Sequence, residues 1–302
     1  MNIRLFAKMK SNLFKYLLLN ILMLVLNSTV HGEDENMKIP DKGKDWIIPE
    51  LNIEMVWIEQ MGIWVGKYPI TNEQYSFYKE VYSPPPLFYG RHTFVDKKYP
   101  AVNISYITAN EYIDWLNNRE MKNNRLPQGM SYRMPTKDEW IKFCKCGDNR
   151  IYPWGDEWPP KYGNYADITA QKRGSDIRTF FIRGFMNNYD DGFVTTCPVE
   201  KSGKNTWGLY GVGGNVKEWV FGELKNTEKT NLSVVDKLPM AEICGSSWLE
   251  SEESQLRCET TDKKNAGFNP LDLGFRLVLA PPASVPRIPQ PDTGKATDDK
   301  VK

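Results

Sequence analysis

The chain has 302 residues, 40% of them hydrophobic, and it carries ten Trp and fifteen Tyr alongside 20 Pro and 22 Gly. Its formal charge is +1; setting aside the basic residues before position 32 turns the balance slightly acidic, which excludes the electrostatic footprint of a nucleic-acid-binding protein. A chain of this size can bury a large core in one domain of roughly 240 residues, and the aromatic, Pro and Gly content points to loops and short elements packed on rings.

Arg4, Lys8, Lys10 and Lys15 precede an apolar run from Tyr16 to Leu26, followed by Val30-His31-Gly32 and the acids Glu33-Asp34-Glu35. That order reads as a signal peptide over 1–32. The run is shorter than the ~20 residues that span a bilayer, with an uncleaved anchor as the alternative. An exported chain, periplasmic or secreted, is therefore expected, with no membrane span after signal cleavage. Residues 33–50 are charged and poor in apolar side chains and read as a linker, with structure beginning near Leu51. Met55-Val56-Trp57-Ile58 and Ile63-Trp64-Val65 flank Gln60-Met61-Gly62 as paired strands.

Three helix starts follow, each with a hydroxyl residue three positions before Glu or Gln: Thr71 with Gln74, Thr108 with Glu111, and Thr136 with Glu139. The second helix sets Tyr112, Trp115 and Leu116 on one face, and the third carries Trp140 and Phe143 and ends near Cys144. From Gly147 onward regular periodicity fades, and Pro153-Trp154-Gly155-Asp156, the polar stretch to Asn188 and Tyr189-Asp190-Asp191-Gly192-Phe193 read as ordered loops: so long an aperiodic stretch is either functional or disordered, and its aromatics argue against disorder. A closing strand is expected over Gly274–Leu279. Residues 281–302 hold five prolines and no aromatics and read as a flexible tail.

Two features carry possible chemistry. The stretch Gly208-Leu209-Tyr210-Gly211-Val212-Gly213-Gly214-Asn215-Val216-Lys217-Glu218-Trp219 suits a backbone that bends through conformations glycine adopts cheaply. It reads either as a turn-rich hairpin in the core or as carbonyls that converge with Glu218 on a hard cation, and spacing leaves both open. The five cysteines, Cys144, Cys146, Cys197, Cys244 and Cys258, gain meaning from export, since disulfides persist outside the cytosol. Their odd number leaves at least one free or bonded to a partner, and the spacing of Cys144 and Cys146 suits neither zinc nor a mutual disulfide. After the leader only His92 remains, which rules out a histidine-cluster iron site and leaves a hydrolytic triad a single candidate base. Glu252-Glu253 reads as a solvated loop pair. Asn103-Ile104-Ser105 and Asn231-Leu232-Ser233 match the glycosylation acceptor pattern.

Taken together, Gly66-Lys67-Tyr68-Pro69-Ile70-Thr71-Asn72-Glu73-Gln74-Tyr75, Tyr99-Pro100-Ala101-Val102-Asn103-Ile104-Ser105, Tyr132-Arg133-Met134-Pro135-Thr136-Lys137-Asp138-Glu139-Trp140, Pro153-Trp154-Gly155-Asp156, Gly208-Leu209-Tyr210, Gly214-Asn215-Val216-Lys217-Glu218-Trp219, Gly245-Ser246-Ser247-Trp248 and Leu273-Gly274-Phe275-Arg276 resemble, in order, the formylglycine-generating enzyme family of sulfatase-modifying factor domains. The resemblance covers a domain at 51–280. It implies an α+β, C-type-lectin-like fold with little regular secondary structure and with structural calcium. Active members oxidise a sulfatase cysteine to formylglycine with oxygen and copper held by two thiolates. Here those positions fall on Leu249 and on Glu253 or Ser254, none of which can supply the soft thiolate that selects monovalent copper, so copper is not expected.

The resemblance further implies a disulfide between Cys144 and Cys258, worth about 3–5 kcal/mol in the chain-entropy model. It implies one calcium site from Asn164, the Tyr165 carbonyl, Asp191 and the Phe193 carbonyl, and a second from the Gly214 and Val216 carbonyls with Glu218, where Gly211 replaces the usual asparagine. The expected function is a catalytically silent scaffold that binds a protein or glycan. A formylglycine-generating oxidase, through a reactive Cys244 or Cys197, and a module of a larger exported complex are the alternatives.

Overall fold

Alternation sets the first sheet. In Ile53–Ile58 the buried Ile53 and Met55 alternate with half-buried Glu54 and Val56, the period-two pattern of a strand covered on one face. The computed structural model describes residues 39–80, 82, 94–173, 182, 184–222 and 238–283. The leader at 1–32, His92, Asn231 and the tail beyond residue 283 lie outside the described residues. Among those described, no helix is long and apolar enough to cross a membrane.

Strands β1 (Trp46–Ile48), β2 (Ile53–Ile58), β3 (Ile63–Gly66), β4 (Ser131–Arg133) and β9 (Val278–Ala280) form one sheet in the order β1-β2-β3-β9-β4. The expected hairpin is β2–β3, paired from Met55 with Gly66 to Ile58 with Ile63. A second sheet, in the order β7-β6-β5-β8, contains β5 (Lys217–Trp219), β6 (Met240–Cys244), β7 (Thr261–Asn265) and β8 (Leu273–Phe275). Its β5–β8 pair is parallel and sets Lys217 beside Leu273.

Structure starts earlier than Leu51. Trp46–Ile48, inside the segment read as a linker, pairs antiparallel with β2, and its Ile48 is fully buried. The closing strand is also not continuous. Leu273–Phe275 belongs to the second sheet and Val278–Ala280 to the first, so the chain changes sheet at Arg276 and Leu277. An unbroken hydrophobic alternation cannot reveal such a change, because both halves remain buried.

The described residues also hold four α-helices, α1 (Asn72–Ser76), α2 (Tyr106–Lys122), α3 (Lys137–Cys144) and α4 (Ile168–Arg173), and two short 3-10 turns at Val199–Lys201 and Glu253–Leu256. α1 and α3 begin with the expected reciprocal caps at Thr71 and Thr136. α2 does not begin at Thr108. Ser105 caps it first, accepting the Thr108 amide at 3.1 Å, so Thr108 lies in the first turn. α4 arises inside the stretch read as loop, where Asp167 Oδ1 accepts the Ala170 amide at 2.9 Å. The largest core is built from rings: Tyr75 stacks on Tyr112 at 5.4 Å, and Phe275 meets Tyr112 edge-on at 5.5 Å.

The α3 cap is reinforced from outside the helix. Glu139 accepts the Thr136 amide at 2.8 Å and takes both Arg133 guanidinium nitrogens at 2.7 Å. Thr136→Ala removes the hydroxyl that accepts the Glu139 amide, and a loss of about 1 kcal/mol is expected, read as a lowered urea midpoint at unchanged m-value.

Candidate functional site

The glycine stretch is a packed joint between loops. Gly213, at φ +77, would place a Cβ 2.7 Å from the Pro153 ring, and a Cβ on Gly214 would lie 2.9 Å from the Tyr165 ring. These approaches bring Asn215, fully buried, against two neighbouring segments. Its Oδ1 accepts the Asn164 amide group at 2.9 Å and the Cys197 backbone N–H at 2.9 Å, and its own amide group donates to the Cys197 carbonyl at 3.1 Å. In the sequence Asn215 is one residue of the glycine stretch; its role as keystone depends on loops distant in sequence.

Behind Asn215 the four residues expected at the first calcium site come together. Asn164 donates to the Thr195 carbonyl at 2.8 Å and to Asn215, leaving its Oδ1 buried with no hydrogen-bond partner. Asp191 accepts the Tyr165 amide at 2.8 Å through Oδ2 and the Phe193 amide at 2.8 Å through Oδ1. The buried Asp167 accepts the Asp191 amide at 2.5 Å. Burial pushes the Asp191 carboxyl up to about 8, and the neighbouring Asp167 carboxylate adds to the rise; burial raises Asp167 as well. Buried polar atoms are almost always paired, so an orphaned Asn164 oxygen, one residue before the amide that meets Asp191, fits a ligand of a hard cation, which takes several oxygens at once. Among the described residues no group of three His, Cys, Asp or Glu is placed to hold a metal; this set relies instead on an amide and carbonyls.

The second set does not fit a cation. Glu218, fully buried, is matched by a guanidinium: Arg276 donates through Nη2 to Oε1 at 2.7 Å and through Nε to Oε2 at 3.1 Å. Trp140 Nε1 donates to Oε2 at 2.8 Å, and the Gly214 carbonyl accepts the Val216 amide at 2.8 Å. With Gly211 supplying no side chain, the expected site at Gly214, Val216 and Glu218 is a charge-paired core joint. Spacing places Arg276 in the closing motif but does not reveal its charge partner, 58 residues away.

The residues that the resemblance sets at the copper-thiolate positions have ordinary surroundings in the fold. Leu249 is half-buried against the cluster of Phe94, Val216 and Trp248. Glu253 is exposed and accepts the Tyr152 hydroxyl at 2.6 Å, and Ser254 is exposed. Beside Leu249, Glu250 Oε2 accepts the Ser247 amide at 2.7 Å and its hydroxyl at 2.6 Å. Glu250 Oε1 contacts the Lys217 ammonium, which lies 3.1 Å from Asp272 Oδ2. Burial pulls the Lys217 ammonium down, but Asp272 and Glu250 outweigh it and hold it above the ordinary lysine range.

All five cysteines are buried free thiols. Cys144 and Cys258 lie side by side within hydrogen-bonding distance, and burial drives the Cys144 thiol well up. The disulfide that the resemblance implies is thus a pair of neighbouring thiols in the structure. Burial also raises the Cys197 and Cys244 thiols, the opposite of what a nucleophilic cysteine needs.

Fold and site together define a mixed α+β domain of the C-type-lectin-like kind. Residues 50–281 match the sulfatase-modifying factor enzyme 1-like domain, and the chain belongs to that family. A mouse formylglycine-generating enzyme is 33% identical over 122 residues, covering 40% of this chain and 26% of the mouse protein. An inactive C-alpha-formylglycine-generating enzyme 2 from Bos taurus is 24% identical over 185 residues, covering 59% of this chain and 50% of that one. The matches therefore span about a quarter to a half of the length of these curated relatives. Among solved structures, PvdO from Pseudomonas aeruginosa superposes with a TM-score of 0.53 at 17% identity, covering 80% of this chain and 99% of that one, which supports the fold alone.

Proposed function

We propose that the chain is an exported member of the family that lacks the copper-dependent oxidase and acts as a scaffold for a protein or glycan ligand, stabilised by one calcium ion. The observation that supports this reading is that the residues the resemblance aligns with the copper cysteines are a packed Leu249, an exposed Glu253 and an exposed Ser254, whereas soft thiolates are what hold monovalent copper. The buried, raised thiols of Cys197 and Cys244 offer no replacement. The likeness to an inactive mammalian relative supports the same reading. Export rests on the basic, apolar and small-residue order of 1–32. Calcium would be held by Asn164, Asp191 and the carbonyls of Tyr165 and Phe193, and would supply structural order to the loops that meet at Asn215.

The test is an oxidation assay on the purified protein, supplied with copper, oxygen and a sulfatase-type cysteine peptide, beside an active control enzyme. The peptide is expected to remain unmodified by mass spectrometry. Its conversion to the aldehyde would overturn the reading and establish a rebuilt copper site.

A further inference from the structure

Lys217, Glu250, Asp272 and Ser247 form a cluster that neither the fold comparison nor the proposed scaffold role uses. Lys217 lies on β5, and Asp272 immediately precedes β8, its parallel neighbour. The register between them is fixed, since the Lys217 amide donates to the Asp272 carbonyl at 2.8 Å. Their side chains meet as well, with Lys217 Nζ 3.1 Å from Asp272 Oδ2. The second carboxylate, Glu250, touches the same ammonium. The Ser247 hydroxyl, fully buried, stands between the two acids, 2.6 Å from Glu250 Oε2 and 3.2 Å from Asp272 Oδ2. Val216, Trp248, Leu249 and Leu271, the chain neighbours of these four residues, belong to one apolar cluster.

A lysine held against the oxygen of a carboxyl group, with a second carboxylate placed to carry protons and all three side chains mostly buried, is the arrangement that favours amide formation. Proximity supplies the orientation that a bimolecular condensation lacks. Burial supplies a driving force, because an ion pair taken out of water bears a desolvation penalty and a neutral amide does not. We propose that Lys217 and Asp272 join in an intramolecular isopeptide bond, with Glu250 as the proton carrier.

The step is a dehydration. The Lys217 ammonium gives one proton to Glu250, which passes it through the Ser247 hydroxyl to Asp272 Oδ2, and the free amine then attacks Cγ of the neutral carboxyl group to form the C–N bond. The C–O bond to Oδ2 then breaks. That oxygen, already carrying the first proton, receives a second from the attacking nitrogen and departs as water. One ammonium and one carboxylate become one neutral amide, Glu250 ends as the carboxylate it began as, and nothing is oxidised or reduced. The product ties β5 covalently to the segment entering β8, beside the point where the chain changes sheet.

The experiment is intact-mass spectrometry of the purified, fully reduced protein, followed by peptide mapping. The mass is expected to fall below the sequence mass of the mature chain by one water, with a branched peptide joining Lys217 to Asp272. Lys217→Arg, which retains a cation but not an acylable amine, and Glu250→Gln, which removes the proton carrier, are expected to show the full mass and separate linear peptides. Wild-type protein at full mass, with Lys217 and Asp272 recovered in unlinked peptides, overturns the proposal. So does a water loss that persists in Lys217→Arg. Should a variant fail to fold, the wild-type peptide map decides alone.

Discussion

Arg276→Met is expected to destabilise the domain by about 3–5 kcal/mol, the range for breaking a buried pair and leaving its partner charged. Both side chains of the pair are fully buried. Arg276 also donates to the Gly66 carbonyl at 2.8 Å and the Tyr210 carbonyl at 2.7 Å. One guanidinium thus holds the end of β3 in the first sheet, the glycine stretch, and Glu218 on β5 in the second sheet, at the residue where the chain passes between sheets. Methionine fills much of the volume but leaves Glu218 with Trp140 as its remaining donor. Urea unfolding followed by tryptophan fluorescence reads the loss. The double variant Arg276→Met, Glu218→Gln is expected to lose less than the sum of the single changes, because residues in direct contact couple. Additive losses would mean the two charges do not stabilise one another.

What the sequence disclosed followed from locality. The caps at Thr71 and Thr136 and the β2–β3 hairpin depend on residues within a few positions of one another, and they stand where spacing placed them. The cap at Ser105 was missed because Thr108 and Glu111 offered the same local pattern three residues later, and only tertiary placement selects between two hydroxyls. β1 was missed because Trp46–Ile48 is three residues long in a charged segment and gains its strand character by pairing with β2. The family motifs grouped Asn164 with Asp191, whose carboxylate accepts the amide of the next residue, Tyr165, yet no spacing shows that Asn164 Oδ1 is left unpaired. The opposite happened at Glu218, where a motif suggested metal and the fold supplied Arg276, 58 residues away in sequence. Charge partners this distant are set by sheet topology, which a hydrophobic pattern does not encode.

Calcium added to the metal-free protein is expected to raise its Tm, and the effect is expected to grow with pH. At a hundred times Kd the stabilisation is about 2.7 kcal/mol, and a domain of this size gains roughly 2–4 °C per kcal/mol. The pH dependence follows from Asp191. Its carboxyl is pushed up to about 8 by burial with Asp167 beside it, whereas an unfolded aspartate titrates near 3.9. Between about pH 4 and about pH 8 the folded protein therefore binds more protons than the unfolded chain, so metal-free stability falls as pH rises through that window and levels off above it. A cation that replaces the proton reverses the trend: its ligands must be deprotonated, and calcium relieves the repulsion between Asp191 and Asp167 that ionisation creates. Differential scanning calorimetry at several pH values, with chelator or with calcium, separates the two curves. Asp191→Asn is expected to abolish the calcium response and flatten the metal-free decline. Glu218→Gln is expected to lower stability while leaving the calcium response intact, because that carboxylate already has its cation in Arg276. A Tm unmoved by calcium across the whole pH range would mean that Asn164 and Asp191 close the loops without a metal. A response lost in Glu218→Gln would place the ion at the glycine stretch instead.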